Sequence, residues 1–117
     1  MKAVQINATC GNGSTGKICV AISKLLTENG IENYILFSSG TSVYPLGIKY
    51  TTDREIKFGT VESRVLGNWG FEGKAATKNL IAELDRIKPD VVHLHNLHSH
   101  ACNLEMLFDW IKERKVK

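Results

Sequence analysis

All four histidines of this chain fall within eight residues, at His93, His95, His98 and His100. They begin in a β-branched segment typical of a buried strand, so the cluster should stand at the carboxyl end of that strand. Alternation along a strand places His93 and His95 on one face, while His98 and His100 fall in the following loop. Three roles stay open: hydrogen bonding to a substrate, metal binding, and packing, the last above all for His93. We favour the substrate role, because no Cys, Asp or Glu lies within the cluster to complete a zinc site.

A second candidate site is the glycine-rich segment 11–17, which reads Gly-Asn-Gly-Ser-Thr-Gly-Lys. It fits the G-x-x-x-x-G-K pattern of a phosphate-binding P-loop, but Ile18 follows where that motif needs Ser or Thr to hold magnesium. A more general property remains, because backbone N–H groups at a helix N-terminus favour an anion. A tight turn without a ligand is the alternative, and the side-chain donors of the segment favour the anion-facing role. The candidate residues are Gly13, Ser14, Thr15, Gly16 and Lys17.

The elements that must position these two sites alternate between strand and helix. A buried strand at 3–8 leads into the glycine-rich segment, a helix capped by Ser14 or Thr15 follows and stops near Gly30, and 34–37 forms a second strand. Further elements are predicted as a short strand at 47–52, helices at 54–66 and 74–88, the histidine strand at 91–95, and a last helix capped by Asn103. This order predicts a three-layer Rossmann-like α/β domain with a mostly parallel sheet. In the usual strand order the histidine strand neighbours the first one, so the histidines face the glycine loop across a crevice.

Length and composition exclude several classes of protein. With 117 residues, of which 43% are hydrophobic and 23% charged, the chain has the size of one packed domain. The net charge of +3 is spread without basic runs, so we expect no binding to nucleic acid. Three cysteines without a C-x-x-C pair argue against a disulfide framework and a zinc ribbon, and they suit a reducing cytoplasm. Because no apolar stretch is long enough to span a bilayer, we expect a soluble cytoplasmic protein, with peripheral contact to the inner face of the membrane left open.

Three segments together resemble the amino-terminal domain of family 4 glycosyltransferases, which are retaining enzymes of the type-B fold common in bacterial capsule and lipopolysaccharide synthesis. They are Gln-Ile-Asn at 5–7 leading into the glycine-rich loop, Gly-Phe-x-Gly-Lys-x-Ala-Thr-Lys-x-Leu-Ile at 70–81, and Lys-Pro-Asp-Val-Val-His-Leu-His-Asn at 88–96. The resemblance runs over nearly the whole chain. It is carried by the combination of the three segments, because the last of them alone is only moderately specific.

The resemblance implies that residues 1–117 are the acceptor-side half of a two-domain sugar transferase, incomplete and without the donor-binding domain. Such an enzyme moves a hexose from a nucleotide-sugar, its donor substrate, to a glycan or lipid-linked acceptor in surface polysaccharide synthesis, with no tightly bound cofactor or metal. The loop from Gly13 to Gly16 would face the donor phosphates and the acceptor, and the segment from His93 to Asn96 would line the cleft floor. The substrate-binding candidates are therefore Gly13, Ser14, Thr15, Gly16, Lys17, His93, His95, Asn96 and His98.

A T-x-H-D-like segment carrying a catalytic histidine does not occur in this chain. The E-x(7)-E segment of the donor domain is missing too, because Glu105 and Glu113, which have that spacing, belong to the last predicted helix of this domain. The catalytic residues are therefore unknown, and we expect the isolated chain to be inactive. A small non-catalytic phosphate- or nucleotide-binding module is the alternative function, and a metal-binding protein that uses the histidines is a third.

The end of the chain predicts an unfinished sheet. Val116 and Lys117 would lead into a further strand, and without it the histidine strand would lie at an edge although its residues suit a sheet interior. We therefore expect the isolated chain to self-associate through that edge.

Overall fold

The computed structural model describes residues 1–52, 54, 61, 64–65, 67, 73–97 and 100–117 of the chain. Its elements in chain order are β1 (Lys2–Asn7), α1 (Gly13–Glu28), β2 (Glu32–Phe37), β3 (Gly47–Lys49), α2 (Lys74–Ile87), β4 (Val91–Leu94) and α3 (Leu104–Arg114). The helix predicted at 54–66 lies mostly outside the described residues, and so does His98. Within the described part of the chain, no helix is long and apolar enough to cross a membrane.

The four strands form one parallel sheet in the order β3-β2-β1-β4. Val4 of β1 is in register with Tyr34 of β2 on one side and with Val92 of β4 on the other. The strand order therefore reverses between β1 and β4, which is the arrangement that binds ligands in open α/β sheets. The predicted α/β class with a parallel sheet is confirmed, and so is the adjacency of the histidine strand to the first strand. This sheet is compatible with a Rossmann-like fold.

The two faces of β1 differ in polarity. Val4 and Ile6 point to the face covered by α2 and α3, where they pack with Leu80, Leu84 and Leu107 in the larger apolar core. The alternate residues of β1 point to the opposite face, which α1 covers, and they include the amides Gln5 and Asn7, each only 1% exposed. One strand thus anchors an apolar layer on one side and a polar layer on the other.

Buried hydrogen bonds hold α1 on the sheet. The Ser23 hydroxyl donates to Oδ1 of Asn33, whose Nδ2 donates to Thr27 Oγ1 at 3.0 Å. The Tyr44 hydroxyl donates to Ser23 Oγ at 2.8 Å, which ties in the segment between β2 and β3. Burial, with a smaller contribution from Cys10, raises the pKa of the Cys19 thiol to about 11, so this side chain stays protonated and packs as a small apolar group.

The predicted ends of the helices are in part confirmed and in part wrong. Asn103 caps α3 by accepting a bond from the Met106 N–H at 3.0 Å, and Gly30 follows α1 with a φ of +73°, both as predicted. The prediction that Ser14 or Thr15 caps α1 is wrong. Asn12 holds the cap position, and its side chain donates to the Thr41 carbonyl instead of accepting from the helix.

The outer edge of β4 is hydrogen-bonded in part to Lys117. The Lys117 N–H donates to the Asp90 carbonyl at 3.3 Å, and the Val92 N–H donates to the Lys117 carbonyl at 2.7 Å. The further strand expected after Lys117 stays a prediction. Self-association through this edge stays a prediction.

Gly73 fixes the start of α2 against the segment that precedes α3. It is buried, its φ is +74°, and a Cβ there would lie 2.8 Å from the His100 carbonyl oxygen. Its own carbonyl accepts from Thr77 Oγ1 at 2.7 Å, and that hydroxyl in turn accepts from the Asn103 N–H at 2.7 Å. A side chain at this position would disturb both helix starts.

We expect Gly73→Ala to lower the free energy of unfolding by about 3 kcal/mol, because a left-handed φ and an overpacked contact act together. Gly30→Ala is the matched control, since its φ is +73° but nothing lies within 4 Å of the added Cβ. It should cost about 1 kcal/mol. Urea denaturation of both variants measures the difference, and equal losses would contradict the close packing of Gly73.

Candidate functional site

The candidate site lies at the carboxyl edge of the sheet, between β1 and β4. β1 ends at Asn7 and leads through the glycine-rich loop into α1, and β4 leads into the segment from His95 to Leu97. Both candidate clusters of the sequence therefore meet at the point where strand order reverses.

Asn7 joins three parts of this edge. Its Nδ2 donates to the Thr9 carbonyl at 2.8 Å and to Thr15 Oγ1 at 3.3 Å, in the loop and in the first turn of α1. Its Oδ1 accepts from the Asn96 N–H at 3.1 Å, just after β4. Thr15 and Asn96, both predicted site residues, are thus held by the same buried amide. Asn7 itself was missed as a site residue, although a polar amide at the end of a buried strand is a usable signal.

Gln5 connects α1 to the histidines. Its Nε2 donates to the Cys19 carbonyl at 2.9 Å, and its Oε1 lies 2.9 Å from Nε2 of His95. Sequence reasoning missed Gln5 too, because a polar residue in the middle of an apolar strand has no partner in the local pattern. Its role depends on a residue 90 positions away.

His93 and His95 share a face of the β4 edge, as strand alternation predicts. Their rings stack with centroids 4.0 Å apart and an interplanar angle of 29°. His95 is partly buried, and that burial, with a smaller contribution from the charge of His93, lowers its pKa below the ordinary 6.5. His95 is therefore neutral near pH 7.

The packing role, which the sequence left open above all for His93, does not fit its position. His93 is exposed, and α1 lies over the neighbouring strands β1 and β2. The residue with the buried hydrogen-bond partner is His95. The two histidines have the same alternation but different neighbours, and the sequence pattern does not distinguish them.

The glycine loop is shaped by Gly16. A Cβ on this buried residue would lie 2.6 Å from Thr9 Oγ1 and 3.1 Å from the Gly11 nitrogen, whose N–H donates to the Gly16 carbonyl at 3.0 Å. Gly16 therefore serves the close folding of the loop. Gly13 and Ser14 are exposed at the start of α1, where no acidic residue stands in the first turn and the side chain of the N-cap residue Asn12 makes no cap bond. These features suit an anion.

Lys17, a predicted site residue, lies on a different side of α1 from Thr15. It is exposed, but it lies two residues beyond Thr15, about 200° around the helix. Because Thr15 is the residue bonded to Asn7, Lys17 lies on another side of α1 from the histidines. Of the other candidates, His98 lies outside the described residues. Among the residues described, no group of three or more His, Cys, Asp or Glu is arranged to hold a metal ion.

Cavities lie at both edges of the sheet. One of about 430 Å³ lies beside the glycine loop and is lined in part by Asn12, Val20 and Tyr44. A larger one, of about 590 Å³, lies at the opposite edge between the ends of α2 and α3, lined in part by Asp85 and Trp110. We place the site at the carboxyl edge, because the convergent polar groups are there.

Neither a protein family, nor a curated protein, nor a solved structure was found to match this chain.

The geometry predicts a difference in stability between the two histidine variants. His95→Ala leaves the buried Gln5 Oε1 without its partner and should lower the free energy of unfolding by about 1–2 kcal/mol. His93→Ala removes an exposed ring and should change it by less than about 0.5 kcal/mol. Urea denaturation at pH 7.5 measures both, and a larger loss for His93→Ala would contradict the positions assigned here.

The same measurement at lower pH tests the charge state of His95. Because folding lowers the pKa of His95, the unfolded chain binds the proton more readily. The contribution of His95 to stability should be complete above pH 6.5 and should decline as the pH falls below that value. Wild type and His95→Ala should therefore converge in acid, whereas a constant or growing gap would contradict the lowered pKa.

Proposed function

We propose that this chain is the acceptor-side Rossmann-like domain of a retaining, type-B sugar transferase. The enzyme moves a hexose from a nucleotide-sugar to a glycan or lipid-linked acceptor. The observation that carries the proposal is the meeting of two segments of the family resemblance, 5–17 and 88–96, at the carboxyl edge of the sheet. Gln5 and Asn7 of the first segment are hydrogen-bonded to His95 and Asn96 of the second. Segments that build one site are expected to meet in this way.

The groups at this edge suit the two halves of such a ligand. The N–H groups at the start of α1 suit phosphate oxygens, because the helix dipole and the uncapped donors act together. The neutral ring of His95, beside Asn96, suits the hydroxyl groups of a sugar. In this proposal the donor is held mainly by a second domain, and turnover needs groups that these 117 residues do not contain.

A non-catalytic phosphate- or nucleotide-binding module is the second candidate. It is favoured by the exposed start of α1, which has neither an acidic residue in its first turn nor a side-chain cap. On this alternative the histidines would have no ligand.

Binding to the 117-residue chain separates the two candidates. The amide signals of a ¹⁵N-labelled chain are followed by NMR while methyl hexosides, ATP or inorganic phosphate is added. The transferase proposal predicts that a hexoside moves the signals of His95 and Asn96. Strong binding of ATP confined to Gly13 and Ser14, with no response to any hexoside, would favour the module instead.

Transfer itself is tested with the full-length polypeptide that carries these residues, given labelled nucleotide-sugars and a lipid extract. We expect hexose transfer, and we expect His95→Ala to lower kcat/KM by about tenfold to a hundredfold through the loss of a polar contact in the cleft. Lys24→Ala is the control, since Lys24 is exposed on α1 two turns beyond Lys17. Absence of transfer from every nucleotide-sugar tried, or full activity of His95→Ala, would contradict the proposal.

A further inference from the structure

The two ends of the Gln5 amide are not interchangeable in this structure. The atom that faces α1 lies 2.9 Å from the Cys19 carbonyl oxygen, which can only accept a hydrogen bond. That atom must therefore be the NH₂ group, since the opposite orientation would set two oxygens against each other. The amide oxygen is consequently directed at β4.

This orientation determines the protonation of the His95 ring. Nε2 of His95 lies 2.9 Å from Gln5 Oε1, which again can only accept, so Nε2 carries the hydrogen. A neutral imidazole has one N–H, and Nδ1 is then left with a lone pair. Among the residues that the structure describes, Nδ1 has no hydrogen-bond partner. The lowered pKa of His95 agrees with a neutral ring.

Packing alone does not account for Gln5. The positions on either side of it in β1 are Val4 and Ile6, which fill the opposite core. An apolar residue could fill the space of Gln5, but it would make neither the bond to Cys19 nor the bond to His95. A buried amide is costly unless both ends are bonded. Gln5 is in register with His93, yet its side chain reaches His95, one pair further along the strand face. The bond thus selects the partly buried ring over the exposed one.

We infer that Gln5 is a positioning residue that holds His95 as the Nε2–H tautomer and so presents Nδ1 as a hydrogen-bond acceptor at the carboxyl edge of the sheet. The groups that such an atom recognises are donors, above all hydroxyls, and not phosphate or carbonyl oxygens. The assignment of the hydroxyl to an acceptor sugar rests on the function proposed above. The tautomer of His95 is inferred from the hydrogen bonds alone and is independent of that function.

The test is long-range ¹H–¹⁵N NMR of the imidazole nitrogens at pH 7.5, with His95 assigned by its absence in His95→Ala. In the wild type, Nε2 should carry the proton and Nδ1 should not, and the Nε2–H should exchange slowly with water. Gln5→Met, which keeps the length but removes the acceptor, should speed that exchange by about tenfold or more, the ratio expected for the loss of one hydrogen bond of about 1.4 kcal/mol.

Two further variants separate positioning from general loss of structure. Gln5→Glu restores an acceptor, at the expense of the bond to Cys19, and should recover the slow Nε2–H and raise the pKa of His95. Ser23→Ala removes another buried polar group under α1, a hydroxyl. It should lower the free energy of unfolding without changing the protonation of the His95 nitrogens. An Nδ1–H tautomer or an equal mixture in the wild type would overturn the inference, and this result does not depend on whether Gln5→Met folds.

A ligand titration tests the acceptor role of Nδ1. Methyl α-glucoside, α-galactoside and α-mannoside are added in turn, and at least one should move the Nδ1 signal of the wild type but not that of Gln5→Met. If none moves it while the tautomer is as stated, hydroxyl recognition by Nδ1 is overturned. The transfer assay with nucleotide-sugars then decides the proposed function separately.

Discussion

The buried amides of Gln5 and Asn7 are the constraint on which the rest of this edge depends. A primary amide removed from water costs several kcal/mol unless its donors and acceptors are bonded, and the interior of a sheet supplies no water. Each amide therefore requires α1 or its loop on one side and the residues after β4 on the other. The central strand in this way sets the relative position of two segments that are about 80 residues apart.

This requirement also explains why the two layers of the domain differ. The face toward α2 and α3 is sealed by branched aliphatic residues, which need only shape and volume. The face toward α1 combines a small apolar cluster around Cys19 and Ile35 with hydrogen-bonded side chains such as Ser23 and Asn33. Directional bonds specify register and orientation more narrowly than apolar contact does. The polar layer is the one that bears the candidate site.

Features that depend on residues close together in the chain could be predicted from the sequence. The βαβ opening, the Asn103 cap and the shared face of His93 and His95 follow from local patterns, and the position of β4 beside β1 follows from the usual strand order. Features that depend on residues far apart in the chain were missed or predicted wrongly. The partial burial of His95 and the exposure of His93 depend on neighbours outside β4, and the roles of Gln5 and Asn7 depend on partners after β4. Asn12 bonds to Thr41 instead of to α1 for the same kind of reason.

The central claim is that Gln5 and His95 act as a coupled pair across β1 and β4, and a double-mutant cycle tests it most directly. The free energies of unfolding of wild type, Gln5→Met, His95→Phe and the double variant are measured by urea denaturation at pH 7.5. A direct bond between two partly desolvated groups predicts a coupling energy of about 1 kcal/mol or more, since the second substitution costs less once the partner is gone. Losses that add to within about 0.3 kcal/mol would contradict the pairing and the tautomer argument built on it.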